Sequence, residues 1–563
     1  MTGIADINKR DGSGQASGEA ASDAASAIAG GAVRVGALTA VSRVSGLARD
    51  IVLGGLFGAS GGMDAFFVAF RIPNLFRRVA AEGAASIAFV PVFSGIIRGQ
   101  GRLEGNRAIA AVGGAALLGL LLLTLAGVFF ADEVVSVFAP GFSADAGQFE
   151  LAVMLTRALF PYLLLVGMAA WAMGALHSYR RFTAPAIGPV LLNISIIIAA
   201  VALADRLVPA VMALVVGVLV GGFFQFAVQI KSLLKEGINP VPSWRPTHPA
   251  VRQVGVLLGP AVFGAAVYQV NVLVSTILAS VLQEGSVSWL WYADRIFEFP
   301  LGIIAVAIGT AALPRLSEQA AVGDNRGMAA SLAWSLQMAW SLCIPAALAM
   351  WLLAPEIVAA LFERGQFSPA DTAATALALR ASSLGLLGVA SVRVLVNVFY
   401  AMKKPSLPVM AAIVALLANV VFDVAFMGPA VRPVDWWAGQ ALAGAVEFMG
   451  VADFDHAGLA LGAALASICN AAVLFFFVVR QFPGFGRRII NRELMIQLVA
   501  TAVMGAVLAV AKPLVAQLPG GALTALPLLV AAGGACYMAV SFLLGSEVTR
   551  SVIDRVRSGP RQP

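Results

Sequence analysis

Apolar residues run along this chain in long stretches, without the strict alternation of a half-buried strand. Charge-poor runs occur at about 35–57, 64–97, 108–131, 151–176, 182–204, 207–230, 253–283, 286–314, 327–354, 372–402, 405–428, 457–479, 494–511 and 522–545. Each can supply the roughly 20 residues that cross a hydrocarbon core as a helix. The pattern predicts about 14 transmembrane helices, numbered below as spans 1–14. Strands of a membrane barrel alternate lipid-facing apolar and lumen-facing polar residues. These runs do not, so the expected fold class is an all-α polytopic membrane protein.

Composition agrees and narrows the function. Of 563 residues, 60% are hydrophobic and 12% charged, against roughly 25% charged in soluble domains. A water-soluble enzyme is excluded, as is a disordered or fibrous chain. Cys343, Cys469 and Cys536 lie inside apolar runs and cannot form a disulfide framework. His177, His248 and His456 are not at metal-ligand spacing. No phosphate-binding loop occurs, and nothing points to a nucleic-acid partner or to a cofactor.

The net charge of +7 matters less than where the 37 Lys and Arg sit. With the N-terminus placed in the cytoplasm, the cytoplasmic segments hold 23 of them and the outer segments only Arg206, Arg364, Arg432 and Lys512. That bias predicts an inner-membrane protein with both termini inside. The tail 1–33 is rich in Gly, Ala and Ser, lacks the apolar core of a signal peptide, and is expected to be disordered. A second cytoplasmic tail covers 546–563. The long outer loop 428–457 carries Trp436, Trp437, Glu447, Asp453 and Asp455. It reads as an insertion or as an interfacial helix.

The chain repeats itself at an offset near 224. AFRIP (69–73) answers ADRIF (293–297), and VFAPGFSAD (137–145) answers LFERGQFSPAD (361–371). Arg157 answers Arg380, and Asn193 roughly answers Asn419. Each repeat contains six spans, an even number, so both insert the same way up. The expectation is two parallel lobes, 34–238 and 250–482, related about an axis along the membrane normal, with the substrate site between them. Spans 13 and 14 (493–545) are an addition.

A charged residue at mid-membrane costs about 2.5–3.5 kcal/mol on insertion scales. Spans 1 and 2 nevertheless carry Arg43, Arg49, Asp50, Asp64, Arg71, Arg77, Arg78 and Glu82, and span 8 carries Asp294, Arg295 and Glu298. These residues either lock helices together as buried pairs or line a wet cavity aimed at an anion. Arginine suits the second role, because its planar fork grips phosphate bidentately and keeps its charge. On span 11, Asn419 and Asp423 lie four apart and are a candidate pair for Na⁺. Prolines 73, 91, 161 and 345 are read as internal to spans 2, 4 and 9, where they allow bends.

The segment SRVSGLARDIVLGGLFGASGGMDAFFVAFRIPNLFRRVAAEGAASIAFVPVFS (42–94) closely resembles the signature of the MurJ/MviN family of lipid II flippases. Further matches are HSYRRFTAPAIGPVLLNIS (177–195), GSVSWLWYADRIFEFPLG (285–302), LFERGQFSPADT (361–372) and VRVLVNVFYAMKKPSLPV (392–409). The resemblance runs from about 34 to 545. It implies the multidrug/oligosaccharidyl-lipid/polysaccharide exporter fold, with two six-helix lobes forming a V-shaped central cavity and the two extra helices forming a groove for a lipid tail. It implies no enzyme activity and a lipid II substrate, undecaprenyl pyrophosphate carrying a disaccharide-pentapeptide, moved between leaflets by alternating access. Arg43, Arg49, Arg77 and Arg295 match motif arginines and would contact the pyrophosphate or nearby headgroup. Asp50, Asp64, Glu82, Ser288 and Glu298 also match and, with Asp294, would form the gate and charge network.

One part of the pattern is missing. Relatives with a sodium site carry an acid near position 275 and a Thr near 463, where this chain has Ser275 and Ala463. The coupling ion, Na⁺ or H⁺, or drive by the membrane potential, stays open. The expected partners are lipid II and membrane lipids, with a monomeric transporter; association with the cell-wall synthesis machinery is open. Alternatives are a flippase for another polyprenyl-linked oligosaccharide, a drug exporter of the same superfamily, or a membrane enzyme on polyprenyl phosphates. A drug exporter for organic cations should have an acidic cavity, and this set is basic. Such an enzyme usually needs metal-binding carboxylate clusters in its loops, and no such run is present.

Overall fold

A computed structural model describes residues 35–77, 88–429, 437–515, 517 and 519–558, with side chains for all of these except 76–77, 260–268, 303–314, 437–442, 552 and 555–558. The described chain is helical, with one isolated bridge between Met427 and Asp453. The helices are α1 (35–57), α2 (Gly61–Arg77), α3 (Val90–Gln100), α4 (Arg102–Phe129), α5 (Ala131–Phe138), α6 (Ala146–Ser178), α7 (Thr183–Leu203) and α8 (Met212–Lys235). They continue with α9 (Pro249–Ser280), α10 (Ser286–Ala321), α11 (Asn325–Phe362), α12 (Pro369–Ser383), α13 (Leu386–Ala401) and α14 (Ser406–Phe426). The last are α15 (Trp437–Met449), α16 (His456–Gln481), α17 (Phe485–Ile489), α18 (Arg492–Val515), α19 (Gly521–Leu543) and α20 (Glu547–Ser558).

Among the described residues, nine helices are individually long and apolar enough to cross a membrane, and ten if α12 and α13 form one span. α1, α2 with α3, α9 and α10 fall where spans 1, 2, 7 and 8 are expected, an arrangement consistent with 14 spans. Two spans differ in detail from the sequence reading. Span 10 is bent by 42° between α12 and α13. In span 2, Pro91 stands in the first turn of α3, and residues 88–89 just before it form a π-helical turn. Pro73, Pro161 and Pro345 do lie inside α2, α6 and α11. The 428–457 loop holds α15, with Phe448 in its last turn 90% exposed and Val451 just beyond it 77% exposed. Backbone bonds from Val451 and Phe454 tie it to the end of α14. Residues 1–34, Arg78, Glu82, Arg432 and Trp436 lie outside the described residues.

Close packing separates the described chain into two compact units. The first comprises the described parts of Met1–Arg49, Phe76–Ala126 and Leu159–Val262. Its core gathers Phe89, Phe93, Ile109, Val112, Trp171, Leu233 and Val254, and the Trp171 indole donates to the Ile109 carbonyl at 2.9 Å. Gly114 is required there. A Cβ at that position would lie 2.2 Å from the Ser243 carbonyl oxygen.

The second unit comprises the described parts of Asp50–Leu75, Gly127–Ala158 and Phe263–Pro563. It cuts across the sequence halves 34–238 and 250–482, because it takes in ends of α1, α2, α4 and α6 that the topology assigns to the outer side. Within it, α18 and α19 pack on α11 through Leu353, Met504, Leu508, Leu529 and Tyr537. Their other faces leave Val503, Val507, Val510, Leu514 and Leu528 exposed. A continuous apolar exterior of this kind is stable against lipid, not water.

Candidate substrate site and gate

The second unit contains a closed junction between α2 and α10. Asp64, in the first turn of α2, is 1% exposed. Its carboxylate accepts from Gly285 N at 2.7 Å, Ser288 N at 2.8 Å and Ser288 Oγ at 2.6 Å. Gly285 is left-handed (φ 93) and starts α10, so Asp64 caps that helix from another element. Backbone N–H groups at a helix start are a favourable setting for a buried carboxylate, which needs no cation to be satisfied there.

The same junction has further bonds. Gly61 N donates to Glu284 Oε1 at 2.6 Å, and Gln148 Nε2 donates to Gly61 O at 3.2 Å. Gln366 N donates to Gly55 O at 2.9 Å, and Tyr292 donates to Gly58 O at 3.3 Å. Gly58 and Gly365 both have positive φ where these loops meet. A Cβ on Gly365 would come within 2.1 Å of Gly55 O. Larger residues would hold the junction apart.

Deeper along the same helices lies the arginine set. Arg295 Nε donates to Asp50 at 2.5 Å, and Asp50 is fully buried. Arg295 also reaches Glu298 at 3.4 Å across one turn. Glu298 and Asp294 are exposed on α10. Phe67 stacks on Trp291, with centroids 4.4 Å apart and planes 18° from parallel. The guanidiniums of Arg71 and Arg295 lie 5.4 and 5.8 Å from the Trp291 ring centre. Arg71 also donates to Thr276 Oγ1 at 2.5 Å.

Arg49 belongs to the first unit. It is 7% exposed and donates through Nη1 to Asn193 Oδ1 at 3.1 Å. The Asn193 amide in turn donates to Ser42 O at 3.2 Å and Ser45 Oγ at 3.0 Å. One amide thereby ties α7 to α1 and orients the guanidinium. Arg43 is exposed one and a half turns before it. The backbone of Arg77 ends α2 and its side chain is outside the described set, as is all of Glu82. Sequence reasoning treated Asn193 only as a repeat marker and did not single out Trp291, Thr276 or Glu284. The repeat offset was the available signal for Trp291, which stands 224 positions after Phe67.

On α14, Asn419 and Asp423 are 1% and 0% exposed and joined by an Nδ2–Oδ2 bond of 2.5 Å. Asn419 Oδ1 and Asp423 Oδ1 are buried without a hydrogen-bond partner. The approach of α16 is tight, since a Cβ on Gly462 would sit 2.1 Å from Asp423 Oδ1. Hard cations take about six oxygen ligands. The pair offers two such oxygens, positions 275 and 463 add no carboxylate and no Thr, and no cluster of three His, Cys, Asp or Glu occurs among the described residues.

The model of the family described as lipid II flippase MurJ matches residues 53–528. The chain is 39% identical to the lipid II flippase MurJ of Burkholderia cenocepacia, over 74% of this chain and 82% of that protein. It is 32% identical to a probable lipid II flippase MurJ of Rhizobium tropici, over 91% and 93%. A solved lipid II flippase MurJ in an inward closed conformation superposes with a TM-score of 0.75 at 24% identity, covering 92% of this chain and all of the other. An inward-facing multidrug MATE transporter of the MOP superfamily aligns at 0.61 and 14%, over 79% and 96%. The motif segments of α1, α2 and α10 and the extent of the family match agree: this chain belongs to the MurJ family of lipid II flippases.

Proposed function

We propose that this chain carries lipid II from the inner to the outer leaflet of the bacterial cytoplasmic membrane by alternating access, with both termini in the cytoplasm. The observation that carries the reading is the pair of part-buried guanidiniums, Arg71 on α2 and Arg295 on α10, that share the Trp291 ring next to the Asp64–Ser288 junction. Arginines inside a membrane protein are costly and mark a substrate path. A pyrophosphate is the anion they suit, since each guanidinium can grip phosphate oxygens through two N–H groups. Arg43, Arg49, Arg77 and Arg295 would receive it. The Asp64–Ser288 junction is the closed outer gate, and Asp50 holds Arg295 until substrate competes for it. The groove beside α18 and α19 takes the polyprenyl tail. No covalent bond is made or broken, so the chain acts as a transporter and not as an enzyme.

Drive comes from the membrane potential or from a proton. A potential of about 100 mV is worth about 2.3 kcal/mol for each charge moved across it, enough to bias an arginine-rich cavity. Asp423 is the proton candidate, because a buried carboxyl oxygen without a partner is costly while charged. The protein works as a monomer among membrane lipids.

The test is depletion of the protein followed by measurement of which leaflet holds lipid II. Accumulation in the inner leaflet supports the reading. Normal delivery to the outer leaflet, with no other flippase present, overturns it.

A further inference from the structure

Three successive layers of the α2–α10 contact are built from positions that the repeat makes equivalent. Asp64 meets Ser288, Phe67 meets Trp291, and Arg71 and Arg295 meet on the Trp291 ring. Each pair is 224 residues apart. Positions that touch their own repeat equivalents lie on the pseudo-twofold axis relating the two helices. Along α2 they fall at 64, 67 and 71, one stripe of a helical face. The first layer is the gate, the second an aromatic stack, the third a pair of guanidiniums.

The third layer collects like charges about one ring. The electron-rich indole face offsets part of their repulsion, and Asp50 neutralises Arg295. Arg71 has the neutral Thr276 hydroxyl among its partners. The Trp291 indole N–H is itself buried with no acceptor, which costs free energy until an acceptor arrives. Two guanidiniums and an unused N–H on a symmetry axis form a receptor for a symmetric, doubly phosphorylated anion.

We propose that Arg71 and Trp291 belong to the anion-binding machinery: Trp291 is a positioning residue that holds Arg71 and Arg295 as a pair, one guanidinium for each phosphate of a lipid pyrophosphate. This rests on the flippase reading above. It also links binding to the gate. The aromatic stack stands between gate and arginines, so parting α2 from α10 at Asp64–Ser288 separates Phe67 from Trp291 and spreads the guanidiniums.

The test uses the full chain in lipid nanodiscs and measures equilibrium binding of undecaprenyl pyrophosphate and undecaprenyl monophosphate. The wild-type chain prefers the pyrophosphate. Arg71→Gln and Trp291→Leu weaken pyrophosphate binding about tenfold and leave monophosphate binding nearly unchanged. Trp291→Phe keeps a ring for both guanidiniums and stays within about threefold of wild type. Arg71→Lys, with its charge but no planar fork, falls between. Equal losses for the two lipids, as misfolding would give, or an unchanged ratio in Arg71→Gln and Trp291→Leu, would overturn the proposal. A wild-type chain that bound neither lipid would instead overturn the flippase reading.

Discussion

Asn193 and Asn419 hold matching places in the two repeats, on α7 and α14, and serve opposite charges. Asn193 turns its carbonyl oxygen to the Arg49 guanidinium and spends its amide on α1. Asn419 turns its amide to the Asp423 carboxylate and leaves its carbonyl oxygen without a partner. The first arrangement presents a positive group whose orientation is fixed. The second presents two buried oxygens whose demand is unmet. The repeats share a scaffold, and the residue facing the amide decides whether the asparagine orients a guanidinium or a carboxylate.

The largest effects should come from the guanidiniums. Arg49→Ala or Arg295→Ala should abolish lipid II translocation while the protein still inserts, measured by complementation in cells without another flippase. The two variants should differ in stability. Arg295→Ala leaves Asp50 buried without its cation, a loss of about 3–5 kcal/mol. Arg49→Ala leaves a neutral amide oxygen unpaired, worth about 1–3 kcal/mol. Thermal melting in detergent should rank them in that order. The reverse ranking would show that contacts other than those to Asn193 and Asp50 decide which arginine the fold depends on.

The next effect tests the acidic half of the comparison. Asp423→Asn imitates the neutral carboxyl. It should retain flipping but lose any dependence of the rate on external pH, measured in proteoliposomes with a fluorescent lipid II analogue. A variant with the wild-type pH profile would remove Asp423 from the drive. Asn193→Ala probes the other half. Arg49 keeps its charge but loses its orienting acceptor, so transport should fall about tenfold, the worth of one hydrogen bond to a charged group. Asn193→Gln should not restore it, because the longer amide cannot meet Arg49, Ser42 and Ser45 together.

Much of this architecture was legible in the sequence because its causes are local or periodic. Hydropathy alone sets the spans, since every backbone group in lipid must be bonded within a helix. The repeat offset anticipated that α2 and α10 would be counterparts, and the structure brings Asp64 onto Ser288 at that spacing. Other features depend on partners distant in sequence. The bend between α12 and α13 follows no proline; Gly385 there would place a Cβ 2.7 Å from Ala464 Cα, so α16 packs directly on the break. The tie between Asn193 and Arg49 joins residues 144 apart that no motif links.

The smallest predicted effect concerns charge without burial. Arg157 answers Arg380 in the repeat and pairs with Asp132. Its side chain and that of Asp132 are 49% and 50% exposed, beside an open pocket lined by Phe149, Glu150, Val153 and Met154. An exposed pair of this kind contributes about 0–1 kcal/mol. Arg157→Ala should therefore leave both melting temperature and lipid II translocation within error of wild type. Arg49, which donates to Asn193, should be indispensable. The two differ in burial: water competes for the half-exposed Arg157, while Arg49 is 7% exposed and held at a fixed orientation by Asn193. If Arg157→Ala stopped transport, burial would no longer separate the arginines that carry substrate from those that only face solvent, and the outer-end pocket would have to join the substrate path.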